Sequence, residues 1–186
     1  MQEEYNPKLD WVKSMLVQRN VGEHNVNMRK MIIFSPFISL GVNQLEGLVK
    51  DFDNPPKFGE ITGKDTKTQR QNVIDKYNNN QIQILLISIG AGGLGINLIG
   101  TRDVIIMQPG WNDVEMQQAI GRAIRYRSHS HLPEDQRHVD IWKLMLSKPP
   151  NTGKSADYII EGIGQRKTLK IARFTESLQN ISIENF

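Results

Sequence analysis

The chain has 186 residues, of which 38% are hydrophobic and 23% are charged, a balance typical of a soluble globular protein with one hydrophobic core. Its formal net charge of +3 permits a polyanionic partner without requiring one, and the absence of cysteine excludes disulfides and thiolate metal sites. No apolar run is long enough to span a membrane, and the N-terminus is too polar for a signal peptide. We therefore expect an intracellular protein with no membrane partner.

Apolar residues recur along the chain at helical and strand spacings in alternation. In chain order, the pattern predicts a helix at 9–18, a strand at 31–37, a helix at 42–52, a strand at 58–63 and a helix at 67–79. It continues with strands at 82–88 and 103–108, an arginine-rich helix within 117–129, a strand at 138–146 and a helix at 156–178. This alternation predicts an α/β fold whose parallel sheet carries helices on both faces. A polar break after the last strand separates a domain at 1–148 from a C-terminal helical extension at 149–186.

The run NTGKS at 151–155 has the ending of a phosphate-binding P-loop. A P-loop also needs a glycine five positions earlier, so that backbone amides can surround the phosphates, and this chain has Lys148 there. Pro149 and Pro150 remove two further amide donors. We interpret the run as a polar linker.

A second glycine-rich run, GAGGLGINLIG at 90–100, directly follows the strongest predicted strand, where α/β folds place ligand-binding loops. It half-matches the dinucleotide fingerprint G-x-G-x-x-G, so a nicotinamide-dependent oxidoreductase is one alternative, testable by titrating the chain with the cofactor. However, the run is apolar at Leu94, Ile96 and Leu98, and Asp103 begins the next predicted strand instead of ending it. The glycines alone therefore do not decide the function.

The segment 117–129, QQAIGRAIRYRSH, contains three closely spaced arginines, and we call it the arginine segment. A helix turns 100° per residue, so Gln118, Arg122 and Arg125 share one stripe, whereas Arg127 lies apart as a surface residue. The arginine segment contains no carboxylate, and guanidinium groups without a local carboxylate suit a phosphate. The alternative is a surface helix whose arginines pair with acidic residues of other segments.

Five blocks of the sequence occur in this order: KMIIFSPF at 30–37, ITGKDTKTQRQNVIDKYNN at 61–79, SIGAGGLGINL at 88–98, VIIMQPGWN at 104–112 and QAIGRAIR at 118–125. They resemble, in the same order, parts of the C-terminal RecA-like lobe of superfamily 2 helicases and translocases, with the first, third and fifth blocks similar to motifs IV, V and VI. The resemblance covers about residues 8–146. Within this superfamily, the chain is most similar to the Swi/Snf-type group and to the helicase-like proteins of large DNA viruses. The downstream run SHSHLPEDQRHVDI looks more like the viral subgroup.

The resemblance implies an ATP-driven nucleic-acid motor and assigns roles to individual residues. Arg122 and Arg125 match the two arginines of motif VI that contact the ATP γ-phosphate, with Arg125 as the arginine finger. Gln118 matches the polar residue that opens motif VI. Gly93 and Gly95 lie in motif V, where the nucleotide is approached.

The resemblance also implies contacts to the nucleic-acid backbone. Ser88 matches a hydroxyl that contacts this backbone, and Trp111 matches a tryptophan that touches DNA in Swi/Snf relatives, with a core tryptophan as the alternative. Gly63 and Lys64 form a turn that suits either phosphate contact or an ordinary loop. Arg70 is expected to contact nucleic acid, to brace the lobe or to form a helix-surface ion pair. Backbone contacts carry no base identity, and we expect DNA as the partner, with RNA possible.

ATP hydrolysis in this family needs a first RecA-like lobe with a Walker A lysine and an acidic Walker B box, and neither occurs in this chain. We therefore expect ATP and Mg²⁺ to be held mainly by a missing first lobe of the same full-length protein. The fragment is expected to be monomeric and inactive as an ATPase by itself. A non-catalytic nucleic-acid or protein interaction module of the same fold is the alternative function.

Two histidines, His129 and His131, follow the arginine helix. They lack the spacing of metal ligands, so we expect no metal site and interpret both as solvated loop residues. The resemblance to viral proteins implies the cytoplasm or nucleus of a host cell, or a virion, as the location.

Overall fold

The computed structural model describes residues 6–19, 29–88, 97–110, 117, 120–121, 125 and 127–183, with 178–183 as backbone only. Within these residues, five strands form one sheet: β1 (Lys30–Ser35), β2 (Phe58–Ile61), β3 (Ile84–Ser88), β4 (Thr101–Ile106) and β5 (Asp140–Lys143). Their order in the sheet is β2-β3-β1-β4-β5, and every adjacent pair is parallel. The predicted parallel α/β sheet is confirmed.

The described helical elements are α1 (Pro7–Gln18), a π-helical turn (Ile38–Val42), α2 (Asn43–Lys50), α3 (Lys67–Asn78), a short 3₁₀ turn (Glu134–Gln136) and α4 (Ala156–Ile183). Capping side chains set two of the helix starts. The Asn6 side chain accepts hydrogen bonds from the amides of Lys8 and Leu9, and Thr66 and Gln69 form a capping box at α3. None of the described helices is long and apolar enough to cross a membrane.

Helices cover both faces of the sheet. On one face α1 and α2 pack against the sheet. The buried residues of this cluster, from helices and strands together, are Val12, Met15, Leu16, Met31, Ile33, Val42, Leu45, Val49, Ile84, Leu86, Ile105 and Met107. On the other face α3 packs against the sheet. The buried residues of this second cluster are Ile32, Phe34, Ile61, Ile74, Tyr77, Ile82, Leu85, Ile87, Leu98 and Val104. Successive side chains of β1 and β3 enter opposite clusters, which explains why these strands are continuous apolar runs in the sequence.

Several predicted boundaries differ from the structure, among them those of β2, β5 and α4. β2 stops at Ile61 instead of 63, because the amide and hydroxyl of Thr62 donate to the Asp65 carboxylate and turn the chain. β5 covers only Asp140–Lys143 of the predicted 138–146, since this edge strand pairs with β4 alone and half-buries only alternate residues. α4 runs to Ile183, beyond its predicted end at 178.

At the amino edge of the sheet, two arginines enclose a buried acidic residue. Asp103 lies inside β4, which begins at Thr101, two residues earlier than predicted. Its fully buried carboxylate forms a bidentate ion pair with Arg29, and Arg19 lies 3.5 Å away. Both arginines also pair with Asp140 at the start of β5. The network joins the end of α1 to the starts of β1, β4 and β5.

The C-terminal helix is anchored to the sheet at its first turn. Lys8 in α1 is buried, and its ammonium lies 2.6 Å from the Asp157 carboxylate and 2.7 Å from the Met107 carbonyl oxygen. Asp157 also accepts the Leu146 amide at 2.7 Å, and the Ser155 hydroxyl donates to the Leu146 carbonyl. The division predicted at 148 stays a prediction, and this buried contact crosses it.

Candidate functional site

The carboxyl ends of the strands lie along one edge of the sheet, where parallel α/β folds bind ligands. The register pairs Ser35 at the end of β1 with Ser88 at the end of β3. On the other side of β1, the Met107 amide continues the pairing of β4 by donating to the Phe34 carbonyl at 2.9 Å. We call this edge, from Ser88 through Ser35 to Gln108, the carboxyl edge.

Ser88 was predicted to contact the nucleic-acid backbone. It lies at the carboxyl edge with 5% of its surface exposed, in a position set by the register of β3. Gly93 and Gly95 follow it in the chain but lie outside the described residues. The contact of Ser88 with a nucleic acid stays a prediction.

Ser35 is a residue of the carboxyl edge that the sequence analysis missed. Its hydroxyl accepts the Phe37 amide at 3.2 Å and lies 3.0 Å from the side-chain oxygen of Gln108. A Cβ atom on Gly41 would lie 1.9 Å from the same hydroxyl, so only glycine lets the π-helical turn approach β1. Phe37, held by this contact, is 47% exposed. The available signal was a serine ending an apolar strand, but its pairing with Ser88 depends on the sheet order.

The turn after β2 presents Gly63 and Lys64 to solvent at the carboxyl end of that strand. The Lys64 amide donates to the Thr62 hydroxyl at 3.3 Å, and Arg70 donates from α3 to the Gly63 carbonyl at 3.3 Å. Within the described residues Arg70 forms no ion pair, so the helix-surface ion pair is not observed. Arg70 braces the turn that carries Lys64.

The arginine segment leaves helical geometry earlier than predicted. Gln117, Ile120 and Gly121 are helical, and Ile120 packs on the core cluster of α3. Arg125 is not helical, and Arg127 has a φ of 65°, in the left-handed region. The predicted helical stripe therefore does not extend to Arg125, because the chain has begun to turn at that position.

Arg125 is nevertheless presented to solvent. Its side chain is exposed, and no carboxylate among the described residues pairs with it. Its carbonyl accepts the Ser128 amide at 3.0 Å, so a turn presents the guanidinium. An exposed guanidinium keeps its donors available for a phosphate. Arg122, Gln118 and Trp111 lie outside the described residues.

His129 is buried, and its interpretation as a solvated loop residue is wrong. Its Nε2 bonds to the Thr101 carbonyl, and its Nδ1 lies 2.8 Å from the Ser128 hydroxyl. The Gly100 amide donates to the Ser128 carbonyl at 2.9 Å, so the end of the arginine segment is fixed against the start of β4. His131 is exposed, as expected. Within the described part of the chain, no group of three His, Asp or Glu side chains could hold a metal ion.

Lys30 is a buried cation at the amino edge of the sheet. Its ammonium donates to the Tyr77 carbonyl at 2.9 Å and lies 4.6 Å from the centre of the Tyr77 ring. Burial lowers the pKa of Lys30 to about 8. The Tyr77 hydroxyl bonds to the Thr101 hydroxyl at 2.9 Å. Lys30 lies at the opposite end of β1 from the carboxyl edge, and its contacts are internal to the fold.

Residues 7–127 match the family described as Helicase conserved C-terminal domain. The chain belongs to this family. The helicase C-terminal domain is 34% identical over 157 residues to an Acanthamoeba polyphaga mimivirus protein named "Putative ATP-dependent RNA helicase", covering 83% of this chain and 34% of that protein. It is 30% identical over 161 residues to Nucleoside triphosphatase I of Melanoplus sanguinipes entomopoxvirus, covering 83% of this chain and 24% of that protein. The chain therefore spans about a third or less of the length of these relatives.

Solved structures share the fold of this helicase C-terminal domain. The C-terminal part of the Fun30 ATPase domain aligns with a TM-score of 0.66 at 29% identity, covering 84% of this chain and 44% of that one. Domain 2 of the Mss116p DEAD-box helicase, bound to an RNA duplex, aligns with a TM-score of 0.54 at 17% identity, covering 74% and 48%. The predicted RecA-like fold and the resemblance to the second lobe of superfamily 2 helicases are confirmed. The family match includes the glycine-rich run at 90–100, so these glycines are accounted for without a nicotinamide site.

Proposed function

We propose that this helicase C-terminal domain acts as the second RecA-like lobe of an ATP-dependent nucleic-acid helicase or translocase. The observation that carries the proposal is Arg125, which is exposed and has no carboxylate partner among the described residues. Relatives named as an ATP-dependent RNA helicase and as Nucleoside triphosphatase I support this class of reaction. In this role the domain forms one wall of an ATP cleft, and a first lobe forms the other.

Arg125 is assigned as the arginine finger. A guanidinium donates two parallel hydrogen bonds to phosphate oxygens and stabilises the negative charge that develops as the γ-phosphoryl group is transferred. Such a finger contributes about 10³–10⁵ in rate, or roughly 4–7 kcal/mol of the barrier. The remaining contacts with ATP are assigned to Arg122 and Gln118 of motif VI and to Gly93 and Gly95 of motif V.

ATP binds with Mg²⁺, which neutralises charge on the β- and γ-phosphates. The family resemblance places the Walker A lysine and the acidic Walker B box in the first lobe, so we assign the metal mainly to that lobe. Arg125 fits the remaining task, which is to neutralise the γ-phosphate from the opposite side. An exposed guanidinium on a turn can make this contact when the lobes close and release it when they open.

We assign the binding of the nucleic-acid backbone to residues at the carboxyl ends of the strands. Ser88 offers a hydroxyl at the end of β3, while Gly63 and Lys64 offer an amide and an ammonium on the turn that Arg70 braces. Trp111 is assigned to the same track. These groups contact phosphate and sugar without reading bases, so closure of the lobes moves the strand irrespective of sequence. DNA is the preferred partner in this proposal, and RNA is the other candidate.

The assignment of Arg125 is tested in a protein or complex that contains both lobes. Arg125→Ala is expected to lower kcat for ATP about 10³–10⁵-fold while ATP binding stays close to wild type. The matched control is Arg127→Asn, which removes a neighbouring guanidinium at a position with a φ of 65° that asparagine tolerates. Wild-type turnover in Arg125→Ala removes the finger assignment.

The motor proposal is tested by the dependence of ATPase activity on nucleic acid. Single- and double-stranded DNA and RNA of equal length are added to the two-lobe protein, and at least one of them is expected to stimulate turnover. Stimulation by none of the four contradicts a motor and favours the non-catalytic interaction module.

A further inference from the structure

The described side chains of α4 beyond Gly164 are not buried. Every residue from 165 to 177 is exposed, and we call this stretch distal α4. Large apolar side chains are among them, with Leu169 60%, Ile171 55% and Phe174 64% exposed. By contrast, Asp157 and Gly164 in the first half are buried. A helical segment of this length without tertiary packing is only marginally stable in water, so a partner that covers it would stabilise it.

Distal α4 is strongly basic on one side. Arg166, Lys170 and Arg173 are spaced i, i+4 and i+7, which places them on one stripe of the helix, and we call these three residues the basic stripe. No acidic residue occurs between Glu161 and Glu176. Within the described residues none of the three forms an ion pair. The positive charge of the basic stripe is therefore available to an external anion.

The apolar side chains flank this charge. At 100° per residue, Leu169 lies on one side of the basic stripe and Phe174 on the other. A surface that combines a row of cations with an exposed aromatic ring suits a nucleic acid, because phosphates pair with the cations and a base or sugar packs on the ring. The basic stripe spans about 10.5 Å along the helix axis, a length over which one nucleic-acid strand carries about three phosphates.

We propose that distal α4 is a second nucleic-acid-binding surface, separate from the carboxyl edge, in which the basic stripe binds the phosphodiester backbone. This inference rests on the proposed function only in that a motor on nucleic acid brings this polymer to the domain. The contact is independent of sequence and orders distal α4 when the strand is bound. This contact adds to the affinity for nucleic acid that the carboxyl edge provides, and it takes no part in ATP hydrolysis.

The test uses the 186-residue chain and labelled single-stranded and duplex DNA and RNA oligonucleotides of equal length. Binding is followed by fluorescence anisotropy over a range of salt concentrations. The stripe variant Arg166→Gln/Lys170→Gln/Arg173→Gln removes three charges and keeps good helix formers. The matched control removes three charges elsewhere, at the exposed residues Lys57, Lys67 and Lys76, also by glutamine. Circular dichroism verifies that all variants are folded.

The stripe variant is expected to lose about tenfold to a hundredfold in affinity at low salt, and the slope of log K against log salt is expected to fall by about 2–3. The control is expected to change both quantities much less. Phe174→Ser, which keeps all charges, is expected to weaken single-stranded binding more than duplex binding.

Equal losses in the stripe variant and the control would show general electrostatic attraction and overturn the proposal, as would no loss in either. Stripe-dependent binding of polyglutamate, with unchanged nucleic-acid binding, would assign the surface to an acidic protein and overturn it too. These outcomes are distinct from failure of the motor proposal, which is read from nucleic-acid stimulation of ATPase activity in the wild-type two-lobe protein.

Discussion

At residue 41 the backbone passes so close to β1 that a side chain would occupy the place of the Ser35 hydroxyl. The same hydroxyl holds the Phe37 amide and lies beside Gln108, so one serine connects the end of β1, the π-helical turn and the end of β4. The geometry of the carboxyl edge therefore depends on residue 41 having no Cβ atom.

Gly41→Ala is expected to lower the free energy of unfolding by about 1–3 kcal/mol, because the new methyl group would displace Ser35 or the turn. Urea unfolding measures the change. Gly47→Ala is the control: it lies in α2 with no atom within 4 Å of the added Cβ, and should be neutral or stabilising by up to about 1 kcal/mol. Ser35→Gly in the Gly41→Ala background should recover part of the loss, and an unchanged Gly41→Ala variant would contradict the steric explanation.

A second effect at the residue scale comes from Lys30. Burial lowers its pKa from 10.5 to about 8 in the folded protein. The unfolded chain keeps this proton up to the ordinary pKa, so between about pH 8 and pH 10 the unfolded state binds more protons than the folded state. The contribution of Lys30 to the free energy of unfolding therefore rises with pH across this window. At higher pH Tyr77 acts in the opposite sense, because burial raises the pKa of its phenol.

Lys30→Met removes this titration. Between pH 8 and pH 10, the free energy of unfolding of the wild type should rise relative to that of the variant by on the order of 2 kcal/mol. Urea unfolding at several pH values measures the difference, with the exposed Lys57→Met as the control that should show no such trend. A wild-type-minus-variant difference that stays constant with pH would rule out Lys30 as its origin.

At the scale of elements, α1, β4 and α4 are joined by the buried pair of Lys8 and Asp157. Lys8→Met leaves the Asp157 carboxylate buried without its cation, and we expect a loss of about 3–5 kcal/mol in the free energy of unfolding. The double variant Lys8→Met/Asp157→Leu should lose less free energy of unfolding than the two single variants together, because neither buried charge is then left without its partner.

Lys13→Met provides the comparison for this pair. Its contact with Asp51 is 3.9 Å long and exposed, and the variant should lose less than about 1 kcal/mol. Limited proteolysis of the linker before α4 should accelerate in Lys8→Met and not in Lys13→Met. Equal stability of the two variants would show that the buried pair does not anchor α4.

The elements differ in how well the sequence predicts them. β1 and β3 are predicted closely, since burial on both faces leaves continuous apolar runs, whereas the edge strand β5 gives a weaker pattern and its limits are overestimated. The burial of His129 and the pairing of Asp103 with Arg29 depend on residues 28 and 74 positions away in the chain. No local pattern encodes such contacts. Ser88 is placed at the carboxyl edge by motif and register alike, while the Ser35–Gly41 contact becomes visible only in three dimensions.

At the scale of the whole molecule, a cleft for ATP needs two walls, and this chain supplies one in our proposal. The isolated chain is expected to show no ATP turnover above background. Addition of a separately prepared first lobe should restore nucleic-acid-dependent turnover, whereas the Arg125→Ala chain should not restore it. Phosphate release measures both. Turnover by the isolated chain that survives substitution of Arg122 and Arg125 would refute this division of labour, once a contaminating ATPase is excluded.

The joint between Lys8, the Met107 carbonyl and Asp157 has a mechanical consequence. α4 has 28 residues and is therefore about 42 Å long, yet its ion pairs with the rest of the described chain, at Asp157 and Glu161, lie within its first two turns. A tilt of about 10° at this pivot would carry the far tip through about 7 Å, by the geometry of a rigid rod of that length. A small change of direction where β4 ends would therefore move the tip of α4 much further than the pivot itself.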